Sequence, residues 1–191
     1  MLMNRIMGAL TFRKEVYSEV ENDTSFTGTA WALVAIVSFL SNLGGGAVMV
    51  SDAGVVSWVV SALVSTVVAL IGFAVAMFVI AWAGQALFKA QVSFDEMVRA
   101  LGLAYVWNLV GFLGIIGLVS PTLVCVISPL LLLGGLLSLV ASLIAAKEAL
   151  DLDWLQTAIT VIIGFVVIWI FSLLTGVILG MFGLGFAGLF G

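Results

Sequence analysis

Four long stretches of this chain carry no ionisable side chain: residues 24–51, 53–88, 100–146 and 154–191. A soluble domain devotes about a quarter of its residues to charge. Here 8% are charged and 64% are apolar. A water-soluble globule is excluded, and so is a disordered chain, which needs low hydrophobicity and high charge. With a mean hydropathy of +1.36, the chain reads as an all-α integral membrane bundle. Its 191 residues suit one such domain.

The charge-free stretches set the spans, because a crossing helix needs about 20 mostly apolar residues. The first gives a span at 27–49, behind Asn22-Asp23-Thr24-Ser25, a cluster rich in helix-capping types. The second has no strong turn signal at its middle and reads as one long helix. Its first turns, Val55 to Ala62, lie in the interface, and its span is 63–88. The third stretch holds two spans, 96–117 and 122–148, joined around Gly117-Leu118-Val119-Ser120-Pro121. Ser93 followed by Glu96 matches a capping box. Asp95 and Arg99 lie one turn apart and are placed to pair near the headgroups. Ser120-Pro121 and Ser128-Pro129 each put a capping residue before a proline. The first reads as the helix start, the second as a kink. The fourth stretch gives a span at 154–176 behind Asp153, and the glycine-rich tail 177–191 suits either a continued helix or a break.

Five spans with the N-terminus in the cytoplasm put Arg5, Arg13, Lys14, Lys89, Arg99 and Lys147 on one side. That is the pattern of the positive-inside bias. The C-terminus is then outside, and Asp52 is the one side-chain charge on the outer face. Residues 1–23 do not resemble a cleavable signal, because Arg5 and Arg13-Lys14-Glu15 interrupt any apolar core. Leu2, Ile6, Leu10, Val16 or Tyr17, and Val20 recur at helical spacing. The segment therefore reads as an amphipathic helix on the cytoplasmic surface, ahead of a membrane domain at 24–191.

The chain has no histidine and one cysteine, so imidazole chemistry and an intrachain disulfide are excluded. A net charge of −4 offers nothing to nucleic acid. The sequence supplies no catalytic, metal or cofactor set, and the span interiors lack the ionisable groups that ion-coupled transporters use. Glu15, Glu19, Glu21, Glu148, Asp151 and Asp153 read as a solvated acidic rim, and Cys125 as a small buried hydrophobe. Asn108 reads as the amide deep in a span, making an interhelical hydrogen bond. Small residues recur every fourth position at Gly134, Ser138, Ser142 and Ala146 in the fourth span, and at Gly176 and Gly180 in the fifth. Gly111, Gly114 and Gly117 crowd the third. Such residues let membrane helices approach closely, either within one bundle or against another subunit.

The order of these pieces resembles the Yip1 family of five-span membrane proteins. The matching residues are Phe12-Arg13-Lys14-Glu15 through Asp23, Ala86-Leu87-Phe88-Lys89, Ser93-Phe94, Arg99 to Tyr105, and Lys147-Glu148-Ala149-Leu150. The resemblance covers residues 12–180 and implies a cytoplasmic N-terminal region before five clustered spans. It brings no catalytic residues. Many members carry a proline after the Tyr105-like aromatic, where this chain has Trp107-Asn108. Eukaryotic members usually carry a long polar N-terminal region linked with small GTPases. The short lead-in here points instead to a prokaryotic member in the cell (inner) membrane.

The function expected is that of a non-enzymatic scaffold or accessory subunit, in contact with membrane lipids and other membrane-protein subunits. The second reading is a passive channel or transporter for a small solute or lipid. That reading expects a polar cavity lined by Asn108, Gln85 and Ser/Thr groups.

Overall fold

A computed structural model of the protein describes residues 2–181. Seven α-helices follow one another: α1 (Leu2–Leu10), α2 (Lys14–Asn22), α3 (Thr27–Gly45), α4 (Val50–Phe88), α5 (Phe94–Ala104), α6 (Pro121–Leu150) and α7 (Trp154–Met181). A long 3-10 segment, Tyr105–Leu118, continues α5 without a break. Among the described residues, four helices are long and apolar enough to cross a membrane: Thr24–Gly45, Gly54–Phe88, Phe94–Leu118 and Pro121–Leu150. In α7, the stretch Trp154–Ile170 is apolar but shorter than these.

α3, the 3-10 segment and α6 form one layer, with the 3-10 segment packed on both neighbours. α4 and α7 lie along each other as a second layer, joined to the first mainly through α3. Contact between α6 and α7 is slight. Every residue of α5 from Met97 to Ala104 is buried, so α5 is the core of the end that carries α1 and α2.

The local reasons are readable. Ser93 Oγ accepts from the Glu96 amide at 3.2 Å, and the Glu96 carboxylate accepts from the Ser93 amide at 2.6 Å. That reciprocal cap starts α5. α6 starts at Pro121 and runs through Pro129. Pro129 has no N–H for the Cys125 carbonyl, and the Ser128 hydroxyl donates to that carbonyl at 2.8 Å instead. The serine before this proline thus repairs the helix rather than starting it. α4 runs as one helix from Gly54, where the backbone turns through φ 80°, a left-handed value that glycine tolerates. Its first turns, Val55 and Val56 among them, are exposed and continuous with the rest, tied down by Trp58 Nε1 donating to the Leu43 carbonyl at 3.0 Å.

Several expectations are corrected. The first span ends at Gly45 rather than 49, because three consecutive glycines give way to a 3-10 turn at Ala47–Met49. Residues 1–23 form two helices, broken at Thr11–Arg13 with Phe12 left-handed at φ 56°. Their apolar face is shared: Ala9, Val16, Tyr17 and Val20 are buried against the protein itself, with α2 packed on α5 and α6, while Leu2, Met3 and Met7 of α1 stay exposed. Phe12 stacks on Trp107 at 5.1 Å, and Trp107 Nε1 donates to the Ala9 carbonyl at 3.2 Å. Cys125 is exposed, not buried. After 176, where either a continued helix or a break was expected, α7 continues to Met181, and the rest of the tail lies outside the described residues.

Candidate functional site

Two regions gather polar groups. The first is the junction of α2, α3 and α5. Arg99 is 5% exposed and does not pair with Asp95. Its Nε donates to the Glu21 carbonyl at 2.8 Å, Nη2 donates to the same oxygen, and Nη1 donates to Thr27 Oγ1 at 3.1 Å. The guanidinium thereby holds the C-terminal end of α2, whose last carbonyls lack helical donors. Nearby, Arg5 bridges Glu19 at 2.7 Å and Asp23 at 2.8 Å and lies 5.0 Å from the Phe26 ring centre. The bond to Glu19 raises the Arg5 pKa, while bonds from Ser25 and then Arg5 lower that of Asp23.

Glu21 is only partly exposed, unlike Glu15 and Glu19. Burial, then the fields of Asp151 and Glu96, push its carboxyl up to about 7, with Arg99 opposing. A carboxyl raised in the folded state stabilises it fully below the unfolded value of 4.5, and that stabilisation is lost as pH rises through about 7. Docking of α2 should therefore weaken between pH 5 and pH 8 by about 1–2 kcal/mol, allowing for solvent screening of a half-exposed group. Tryptic cleavage after Arg13 and Lys14, followed against pH, measures this. Glu21→Gln should flatten the profile, and an equally steep profile in that variant would contradict it.

The second region is the interior of the bundle. Tyr105, Asn108, Gly111, Gly114 and Gly117 recur every third residue. In an α-helix that spacing winds around the axis, whereas at three residues per turn it makes one straight stripe. The stripe is what the 3-10 geometry presents to α3. Ser38 Oγ donates to the Tyr105 hydroxyl at 3.1 Å. A Cβ on Gly111 would collide with Ser41 Oγ, and one on Gly114 would sit 2.8 Å from the Gly44 carbonyl oxygen. On Gly117 it would meet Val48 at 2.7 Å. The seam brings backbone onto backbone, which is how membrane helices associate without a hydrophobic force between them. The 14-residue segment also gains length, about 28 Å against about 21 Å for the same residues in an α-helix.

On α6, a Cβ at Gly134 would meet Val110 at 2.5 Å. Ser138 and Ala146 are buried, and Ser142 Oγ donates to the Ser138 carbonyl at 2.8 Å. The small-residue stripe of α6 thus points into the bundle. The surroundings of Gly176 and Gly180 lie outside the described residues.

Between the two layers lies a cavity of about 360 Å³, lined on its polar wall by Asn42, Ser65, Tyr105, Asn108, Ser138 and Ser142. Phe73, Met77 and Ile80 of α4 and Val161, Phe165 and Ile168 of α7 supply an apolar wall. Asn108 donates from Nδ2 to the Tyr105 carbonyl at 3.3 Å, on its own segment rather than across to another helix. Asn42 donates to Thr66 Oγ1 at 3.4 Å. The expected role of Gln85 is wrong. It lies outside the cavity, donating to the Val92 carbonyl at 2.7 Å. Asn42 was the amide missed. Its signal was its place four residues after Ser38 on the first span, one turn along the same face. Among the described residues, no group of three or more His, Cys, Asp or Glu side chains could hold a metal.

Apolar helices of crossing length around a neutral interior, with an ion-paired cap at one end, define an integral membrane protein. A family model for the Yip1 domain matches residues 7–188, and the chain belongs to that family. Neither the curated proteins nor the solved structures contain a match to this chain.

Proposed function

We propose that this Yip1-family protein is non-enzymatic and acts as a scaffold or accessory subunit, through helix contacts with other membrane proteins. One observation carries the reading. The close-packing residues Gly111, Gly114 and Gly134 are spent on contacts within the chain, while the outward faces stay apolar. Val56 of α4, Val126 of α6 and Trp169 of α7 are 78%, 71% and 62% exposed. A bundle already closed on itself offers such faces to lipid and to neighbouring subunits alike. In this reading α7 is the fifth crossing, the α1–α2 cap is cytoplasmic as the basic residues require, and the host is a prokaryotic cell membrane. Gentle solubilisation followed by mass spectrometry tests it. A partner recovered in fixed ratio is the expected result, and a lone monomer in mild detergent contradicts it.

The cavity favours a second reading, passive passage of a small solute or lipid. Flux through reconstituted vesicles that is lost in Asn108→Leu would support that reading, and no flux for any small solute would exclude it.

A further inference from the structure

We infer that the cavity between the two helix layers is a binding site for an uncharged membrane amphiphile, a glyceride or long-chain alcohol. The inference requires neither a scaffold role nor transport. It rests on the distribution of hydrogen-bonding groups within the bundle. A hydroxyl on a membrane helix ordinarily satisfies itself on the carbonyl one turn back. Thr66, Ser142 and Thr160 do so, each donating to the carbonyl four residues earlier at 2.7–2.8 Å. Ser65 and Ser138, which line the cavity, make no such bond among the described residues. The two amides behave alike: Asn42 and Asn108 line the cavity, each donates once through Nδ2, and neither amide oxygen accepts from a described residue.

Four helical segments thus turn unspent polar groups toward one space: α3 with Asn42, α4 with Ser65, the 3-10 segment with Asn108, and α6 with Ser138. Polar groups cut off from water need a hydrogen-bonding occupant, and these supply both donors and acceptors. The occupant carries no charge. Among the described residues, no Asp, Glu, Lys, Arg or His lines the cavity, so a phosphate or ammonium group would lose its hydration with no counter-charge in exchange. It has an apolar part as well, because Phe73, Met77 and Phe165 form the facing wall. At about 360 Å³ the space is at the small end of ligand sites, enough for a headgroup and the start of one chain. Phe165 lines the cavity and is 41% exposed, which gives the rest of the chain a way out into the bilayer.

The test is photolabelling of the full-length protein in vesicles with a monoacylglycerol carrying a diazirine and an alkyne on its chain. A lysophosphatidylcholine with the same chain serves as the charged comparison. The monoacylglycerol should label peptides of α4 and α7 that line the cavity, and excess unlabelled monoacylglycerol should compete. Labelling should fall about fivefold or more in the Asn42→Leu/Asn108→Leu double variant. It should fall likewise in Ala69→Phe, because Ala69 of α4 also lines the cavity and the larger ring fills the space while keeping both amides, so a folding failure of the double variant leaves the inference open to refutation. Equal labelling of these peptides by the choline-headed probe would overturn it. So would labelling that persists in Ala69→Phe, or labelling confined to outward residues such as Trp82 and Trp169.

Discussion

Gly111→Leu should strongly destabilise the membrane domain. The new side chain would enter the space held by Ser41 and push the 3-10 segment off α3. Overpacking a well-packed interior typically costs about 1–3 kcal/mol. Here Ser41 Cβ and Cα stand behind the hydroxyl at 3.2 and 3.6 Å from an added Cβ, so rotating the serine does not clear the site, and a loss of about 3 kcal/mol is expected. The measurement is thermal unfolding in detergent, read beside two controls. Gly28 and Gly135 have nothing within 4 Å of an added Cβ, so Gly28→Leu and Gly135→Leu should stay within about 0.5 kcal/mol of the parent or gain from better helix propensity. If all three variants melted together, the seam would not be the source of the bundle's stability.

Arg99→Met should release the cap while leaving the membrane helices in place. The methionine fills much of the same volume but strands the Glu21 carbonyl and Thr27 Oγ1, which now receive three donors from one guanidinium. Stranding a buried acceptor costs about 1–3 kcal/mol, and bonds from a charged donor lie at the upper end. The α1–α2 unit should then open roughly a hundredfold more often, as about 2.7 kcal/mol requires. Tryptic cleavage after Arg13 should accelerate accordingly with no change in helix content. Arg99→Lys should fall between the two, since an ammonium offers a point charge in place of a planar fork. Unchanged proteolysis in Arg99→Met would mean that the apolar contacts of Tyr17 and Val20 hold the cap alone.

Much of the architecture was visible in where charges are missing. Cutting the chain at its ionisable residues put the ends of α4, α6 and α7 within a few residues of where they fall, and the Ser93–Glu96 cap and the Ser120-Pro121 start stood out as spaced residue types. What stayed hidden has physical causes. An amphipathic stripe shows that one face of a helix is apolar, not what covers it, so α2 read as membrane-bound although Tyr17 and Val20 pack on α5 and α6. Arg99 looked paired with Asp95 because helical spacing exposes only neighbours on one helix, and its acceptors lie 72 and 78 residues away. The three-residue spacing of Gly111, Gly114 and Gly117 was legible as small-residue packing. Its consequence, a helix tightened to make that spacing a straight stripe, depends on α3 bringing Ser41 and Gly44 against it. The cavity was the least legible feature, because it arises from what α4 and α7 fail to touch.

The account turns on a chain that crosses the membrane several times with its ionisable groups, Asp52 apart, held at one end. Cysteine accessibility measures this most directly, with Asp52→Cys and Asp153→Cys placed singly in a Cys125→Ser background and probed with a membrane-impermeant maleimide. Three segments long and apolar enough to cross, α4, α5 with its 3-10 extension, and α6, lie between the two positions. Position 52 should label from outside intact cells, and position 153 only after the membrane is opened. Labelling of both positions from the same side would contradict the account.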